Sequence, residues 1–247
     1  MTVPIPPALH ILGIPIHDVT LAEAVEWAAQ WVAEGGPHQI ATVNPEFVMA
    51  ARKFPAFRAV LERADLCLPD GVGITLAARY LGRPLRERVA GVDLVEALAA
   101  RAPREGWRLF LLGAAPGVAE RAAANLIARF PGLTVCGTYA GSPSPEEEAD
   151  IVQRVRDAHP HILFVAYGAP AQDLWVARNL ARTGAAVGIG VGGALDYLAG
   201  VVPRAPQWMR RAGLEWLYRL LRQPWRWRRQ RVLPLFALLV LLSRFSR

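Results

Sequence analysis

At 247 residues the chain can bury one substantial core, and 53% hydrophobic with 20% charged residues marks it as globular rather than disordered. Its net charge of +7 is unevenly placed: up to Pro203 there are 17 basic and 20 acidic residues, while from Arg204 onward 11 arginines accompany a single acid, Glu215. Cys67 and Cys136 sit in separate apolar runs, which argues for reduced core thiols and against a disulfide or zinc framework. The N-terminal MTVPIPPALHILG has no basic segment and many prolines, so no secretory signal is expected. The longest apolar run, Val232 to Leu242, has 11 residues with Pro234 inside it, short of the ~20 that a spanning helix needs.

Along the chain, Thr20 with Glu23 opens a helix through a capping box, and Leu21, Ala24, Val25, Ala28, Trp31 and Val32 follow at helical spacing. His38 to Asn44 reads as a buried strand. EFVMAARKF and FRAVLERA read as helical pieces separated by Pro55. Asp65 to Gly71 is a short apolar run stopping at a turn, followed by a helix through Arg79, a loop LGRPLRERVAG and a helix from about Val92 to Arg101. The second half is more regular. Strands WRLFLLG, LTVCG, HILFVAYG and AAVGIGVGG alternate with helices at Val118 to Phe130, after Ser144, and at AQDLWVARNLA. Ser144 is expected to cap its helix, with Pro145 in the first turn and Glu146, Glu147 and Glu148 at the positive end. This alternation predicts an α/β fold, a mostly parallel Rossmann-like sheet flanked by helices, over residues 1–203. The composition break near Val202 to Pro206 separates it from a C-terminal helical basic appendage, 204–247.

In such sheets ligands bind beyond the carboxyl ends of the strands. The polar and glycine residues there are Thr42 and Asn44, Asp70, Gly113 with Pro116 and Gly117, Gly168 with Gln172, and Gly192 with Asp196. GAAPGVA is a glycine turn into a helix N-terminus, which serves a diphosphate or a plain tight turn equally well. It lacks both G-x-G-x-x-G and a P-loop lysine. The glycine groups at Gly113, Pro116, Gly117, Gly168 and Gly192, with Asp196, are the expected nucleotide site. Asp70, in Pro-Asp-Gly, has by residue type alone the ordinary job of a turn residue; at a sheet mouth it is also available as a general base. No acidic ribose ligand follows a glycine fingerprint, which disfavours a nicotinamide-dependent oxidoreductase.

In the appendage a helix from Gln207 to Pro224 would align Arg211, Glu215, Arg219 and Arg222 on one face and Trp208, Ala212, Trp216 and Leu220 on its neighbour. Trp225 to Arg231 adds a second basic-aromatic cluster ahead of the aliphatic run. Tryptophan beside arginine beside aliphatics suits an anionic membrane headgroup region rather than nucleic acid.

The motifs occur in one order: Thr42-x-Asn44-Pro-Glu, Pro69-Asp70-Gly71, Arg88-Val-x-Gly91, Phe110-Leu-Leu-Gly113-x-x-Pro116-Gly117, Gly168-x-Pro170-x-Gln172 and Gly190-Val-Gly-Gly-x-x-Asp196. Gly200-x-x-x-Arg204-Ala-Pro206 and Gly213-Leu-Glu215-Trp216-x-x-Arg219 follow. From Ile11 to Arg231 this series closely resembles the WecG/TagA/CpsF family of bacterial glycosyltransferases. The resemblance implies transfer of N-acetylmannosamine or its uronic acid from a UDP-sugar donor to N-acetylglucosamine on undecaprenyl diphosphate, for teichoic acid or other surface polysaccharide. It implies Asp70 as the base, with Thr42, Asn44, Arg88 and Gln172 around the sugars. It also implies an appendage whose arginines, Arg219, Arg226 and Arg229 among them, help complete the site. An inverting reaction without metal or cofactor is expected, in a cytoplasmic protein held peripherally on the inner face of the membrane, with a homo-oligomer as a further candidate assembly. Pro170-Ala171-Gln172-Asp173 stands where the family usually has Pro-Lys-Gln-Glu. The competing reading is a non-catalytic, membrane-docked nucleotide-binding module.

Overall fold

The computed structural model describes residues 7–244; the signal-peptide expectation falls in part on residues 1–6, outside that range. A hairpin opens it, β1 (Ala8–Ile11) antiparallel to β2 (Ile14–His17), turned over Leu12 and Gly13, both at positive φ. That backbone belongs to the tight primed turns, but Leu-Gly lacks the Asn-Gly signature that announces them. α1 (Leu21–Glu34) carries the expected capping box, in which the Glu23 amide donates to Thr20 Oγ1 at 3.2 Å and the Thr20 amide to the Glu23 carboxylate at 2.9 Å.

Next come β3 (His38–Val43), α2 (Pro45–Lys53), α3 (Pro55–Arg63), β4 (Leu66–Pro69), α4 (Val72–Tyr80) and α5 (Gly91–Glu105). They are followed by β5 (Arg108–Gly113), α6 (Val118–Arg129), β6 (Thr134–Tyr139), α7 (Glu148–Asp157), β7 (Ile162–Ala166), α8 (Ala171–Thr183), β8 (Val187–Gly190) and α9 (Ala194–Leu198). One helix start differs from expectation. Ser144 does not cap α7: its hydroxyl turns to the Glu146 carboxylate, residues 144–147 form a turn, and the helix begins at Glu148.

Six parallel strands form one sheet in the order β4-β3-β8-β7-β5-β6. β4, β7 and β8 are buried throughout, β3 and β5 at all but their first residues, which is why these strands read as apolar runs without alternation. α1, α5, α6 and α9 cover one face, and α2, α3, α4, α7 and α8 the other. The hairpin lies against β4, an edge strand, and the Cys67 amide donates to His17 Nδ1 at 2.9 Å. Burial pushes the His17 pKa down, keeping the ring neutral and able to accept, so this edge is capped.

The appendage comprises α10 (Gln207–Arg211), α11 (Glu215–Arg222), a 3₁₀ turn at Pro224–Arg226, α12 (Trp227–Gln230) and α13 (Leu233–Ser243). The single helix expected from Gln207 to Pro224 is broken at Gly213, which has φ +73°. A Cβ there would lie 2.6 Å from Val72 Cγ2 on α4, so the break occurs where the appendage presses closest on the body. Gly213→Ala should therefore loosen the docked appendage by about 1–3 kcal/mol. A lower melting temperature and faster tryptic cleavage among its arginines would show this. α13 packs on α2 and α4 with Phe236 and Val240 buried, so the aliphatic run is partly taken up by the body. Among the described residues no helix is long and apolar enough to cross a membrane.

Candidate active site

The carboxyl ends of β3, β4, β7 and β8 open into one cavity of about 940 Å³, to which α11, α12 and α13 contribute the facing wall. Thr42, Asn44, Asp70, Arg88, Gly168, Gln172 and Gly192 all line it, and so do Arg219, Arg226 and Arg229 of the appendage. Residues from Thr42 to Arg229 thus converge because parallel strands all point their carboxyl ends to one side.

Asp70 follows β4 and is tied to β3 by its amide, which donates to the Val43 carbonyl at 2.9 Å. The residue keeps some exposure to the cavity, yet the surrounding protein dominates its titration. Burial pushes the carboxyl up to about 7; Arg88 opposes this, while Glu215 and Asp93 add to it. Arg88 is not free to neutralise Asp70 fully, because its guanidinium pairs with Glu215 of α11 at 3.3 Å. Glu215 also meets Arg204 at 3.4 Å, and Arg204 pairs with Asp93 at 2.7 Å. The appendage's lone acid therefore anchors it to the body beside Asp70. Sequence reading placed Glu215 on a helix face and in the Gly213-Leu-Glu215-Trp216 motif, but its partner Arg88 is too distant in the chain for local pattern to reveal the pair.

Three predicted substrate residues also hold the walls. The Thr42 hydroxyl donates to the Gly190 carbonyl at 3.0 Å, joining β3 to β8. Asn44 Oδ1 accepts from the Phe47 amide at 3.1 Å and caps α2. Gln172 Oε1 accepts from the amides of Gly168 at 3.1 Å and Gly192 at 2.9 Å, fixing both glycine loops at the cavity floor.

Above them lies an arginine cluster. The Arg219 guanidinium sits 4.8 Å from the Tyr197 ring centroid and 3.9 Å from Asp196 Oδ2. Its Nε and Nη2 are buried without a hydrogen-bond partner among the described residues. A Cβ at Gly193 would fall on that guanidinium, which accounts for glycine there. Burial, with the neighbouring Arg219 and Arg229 adding to it, pushes Arg226 down to about 10. Arg229 reaches Glu46 at 3.0 Å. The unpartnered donors of Arg219 beside two further guanidiniums leave this wall strongly positive, with hydrogen-bonding capacity that no protein group uses among the described residues.

Gly113, Pro116 and Gly117 do not line the cavity. They follow β5, one strand beyond β7. A Cβ at Gly113 would lie 2.8 Å from the Ala166 carbonyl carbon, so strand packing alone requires that glycine, and a bulkier residue there would report on packing before binding. Asp196 reaches the site only through Arg219. Of the expected nucleotide residues, Gly168 and Gly192 face the cavity directly. Among the described residues no group of three or more His, Cys, Asp or Glu side chains could hold a metal ion.

The glycosyl transferase WecG/TagA/CpsF family model matches residues 9–247, body and appendage together. The chain belongs to this family. It is 36% identical over 202 residues to the N-acetylglucosaminyldiphosphoundecaprenol N-acetyl-beta-D-mannosaminyltransferase of Bacillus spizizenii, covering 82% of this chain and 78% of that enzyme. The same figures hold for the enzyme of that name in Bacillus subtilis. Identity to its Staphylococcus aureus counterpart is 31% over 230 residues, 92% of this chain and 90% of the relative. In this WecG/TagA/CpsF member most of the ordered motifs, though not Gly113 to Gly117, meet at the cavity.

Proposed function

We propose that the protein transfers N-acetylmannosamine, or its uronic acid, from a UDP donor to the N-acetylglucosamine of an undecaprenyl diphosphate lipid. The observation that carries this reading is a carboxylate held near pKa 7 facing the same cavity as an arginine cluster in which Arg219 keeps buried donors without partners. A sugar hydroxyl is a poor nucleophile, and Asp70 would take its proton as the oxygen bonds to the anomeric carbon. The bond from that carbon to the diphosphate breaks in the same displacement, its electron pair leaving with UDP. One displacement inverts the anomeric centre. The departing charge would fall to Arg88, Arg219 and Arg226, which are preorganised rather than recruited from solvent. The glycine loops held by Gln172 are the natural seat for the donor, whose selection Ala171 in place of the family's lysine would alter.

Membrane attachment is part of the same reading. Trp208, Trp225 and Trp227 are exposed on the appendage, beside arginines that each contribute about 1 kcal/mol at an anionic leaflet. The acceptor stays in the bilayer, so the enzyme would work peripherally on its inner face, supplying teichoic acid or another surface polysaccharide. In a thermal-shift screen UDP should raise the melting temperature and NAD should not. A shift with NAD alone would favour a dinucleotide enzyme, and UDP binding without turnover the non-catalytic module.

A further inference from the structure

We infer that the apolar arm of the cavity, between α4 and α13, is a slot for the first isoprene units of a prenyl diphosphate; the identification of that ligand as the acceptor rests on the reading above. The cavity changes character along its length. Arg229 and Arg231 stand just before α13, and beyond them the walls are Leu76, Ala77 and Tyr80 on one side and Leu233, Ala237 and Leu241 on the other. Leu76 is 59% and Leu241 46% exposed, so large apolar side chains border open space up to the far end, where the Tyr80 hydroxyl donates to the Leu241 carbonyl at 3.4 Å.

α13 has three apolar faces. Phe236 and Val240 are buried against the body and border the cavity from there, Leu235 and Leu238 are exposed away from it, and Ala237 and Leu241 line it. A helix apolar all round needs cover on every side, and this one is too short to span a bilayer. A membrane surface can cover Leu235 and Leu238, but it cannot follow the cavity inward. What fits there is narrow, apolar and joined to an anion that the two arginines would hold. From Leu233 to Leu241 the helix rises roughly 12 Å, room for about two or three isoprene units.

Calorimetry on the full chain, without membranes, separates the parts. Farnesyl diphosphate, with three isoprene units, should bind at least about 10-fold tighter than dimethylallyl diphosphate, since each buried methylene strengthens binding roughly fourfold. Leu76→Glu or Ala237→Glu should erase that difference by weakening farnesyl diphosphate far more than dimethylallyl diphosphate. Both positions are exposed, so the fold should survive, as a melting curve will verify. Leu238→Glu should keep the farnesyl preference and reduce pelleting with anionic vesicles. A parent protein without chain-length preference, or a preference untouched by both slot variants, would overturn the slot. Tight farnesyl diphosphate binding with no transfer from any UDP-sugar would leave the slot standing and remove the proposed reaction.

Discussion

Asp70→Asn should lower the rate of sugar transfer by roughly 10²–10⁴, the usual cost of losing a general base, with UDP affinity within a few-fold of the parent. The amide keeps the shape and the Val43 tie but cannot accept the hydroxyl proton. Because burial holds the parent carboxyl near 7, kcat/KM should climb between about pH 6 and 8 and level off above, as the base loses its proton. The variant should lack that limb. Stability should move the opposite way. A carboxyl whose folded pKa lies above its unfolded value stabilises the fold fully below the unfolded pKa of 3.8, and that contribution is lost as pH rises through about 7. Asn does not titrate, so the variant should gain on the parent by about 1–4 kcal/mol between pH 5 and pH 8. Turnover within a few-fold of the parent would leave Asp70 as a turn residue only.

Removal of the appendage is the second large effect. Truncation before Arg204 deletes Glu215, Arg219, Arg226 and Arg229 and uncovers the surface of α2 and α4 beneath Phe236 and Val240. Transfer should fall by at least about 10³ even on a water-soluble short-chain acceptor, because preorganised charge is lost as well as membrane contact. Pelleting with anionic liposomes should also disappear. Arg219→Ala, which leaves the exposed tryptophans in place, should cost roughly 10²–10³ in kcat with liposome binding retained. Equal loss of both properties in that variant would mean that Arg219 holds the appendage together rather than meeting a diphosphate. Full activity in the truncated chain would remove the appendage from the site altogether.

The parallel sheet was legible because its strands are doubly buried, and such strands appear as unbroken apolar runs between helical periods. The hairpin was not, since Leu12-Gly13 adopts a turn that its residue types do not advertise. Asp70 and Gln172 could be placed at one mouth from their strand-end positions, and Arg88 only through the motif order that carries the family resemblance. Gly113 shows the limit of that reasoning. A glycine after a strand serves a phosphate or a neighbouring strand equally well, and only the approach of Ala166 separates the two. The role of Glu215 was equally hidden, because an ion pair between α11 and the loop before α5 leaves no periodic trace. The break at Gly213 depends on Val72, another long-range neighbour, so local propensity favoured one continuous helix.

The most direct test is to incubate the purified full chain with UDP-N-acetylmannosamine and a short-chain prenyl-diphospho-N-acetylglucosamine, and to weigh the lipid product by mass spectrometry. The parent should add one N-acetylhexosamine and release one UDP for each, while Asp70→Asn and Arg219→Ala accumulate product at least about 100-fold more slowly. Product formation at the parent rate by both variants would contradict a site built from the sheet mouth and the appendage together.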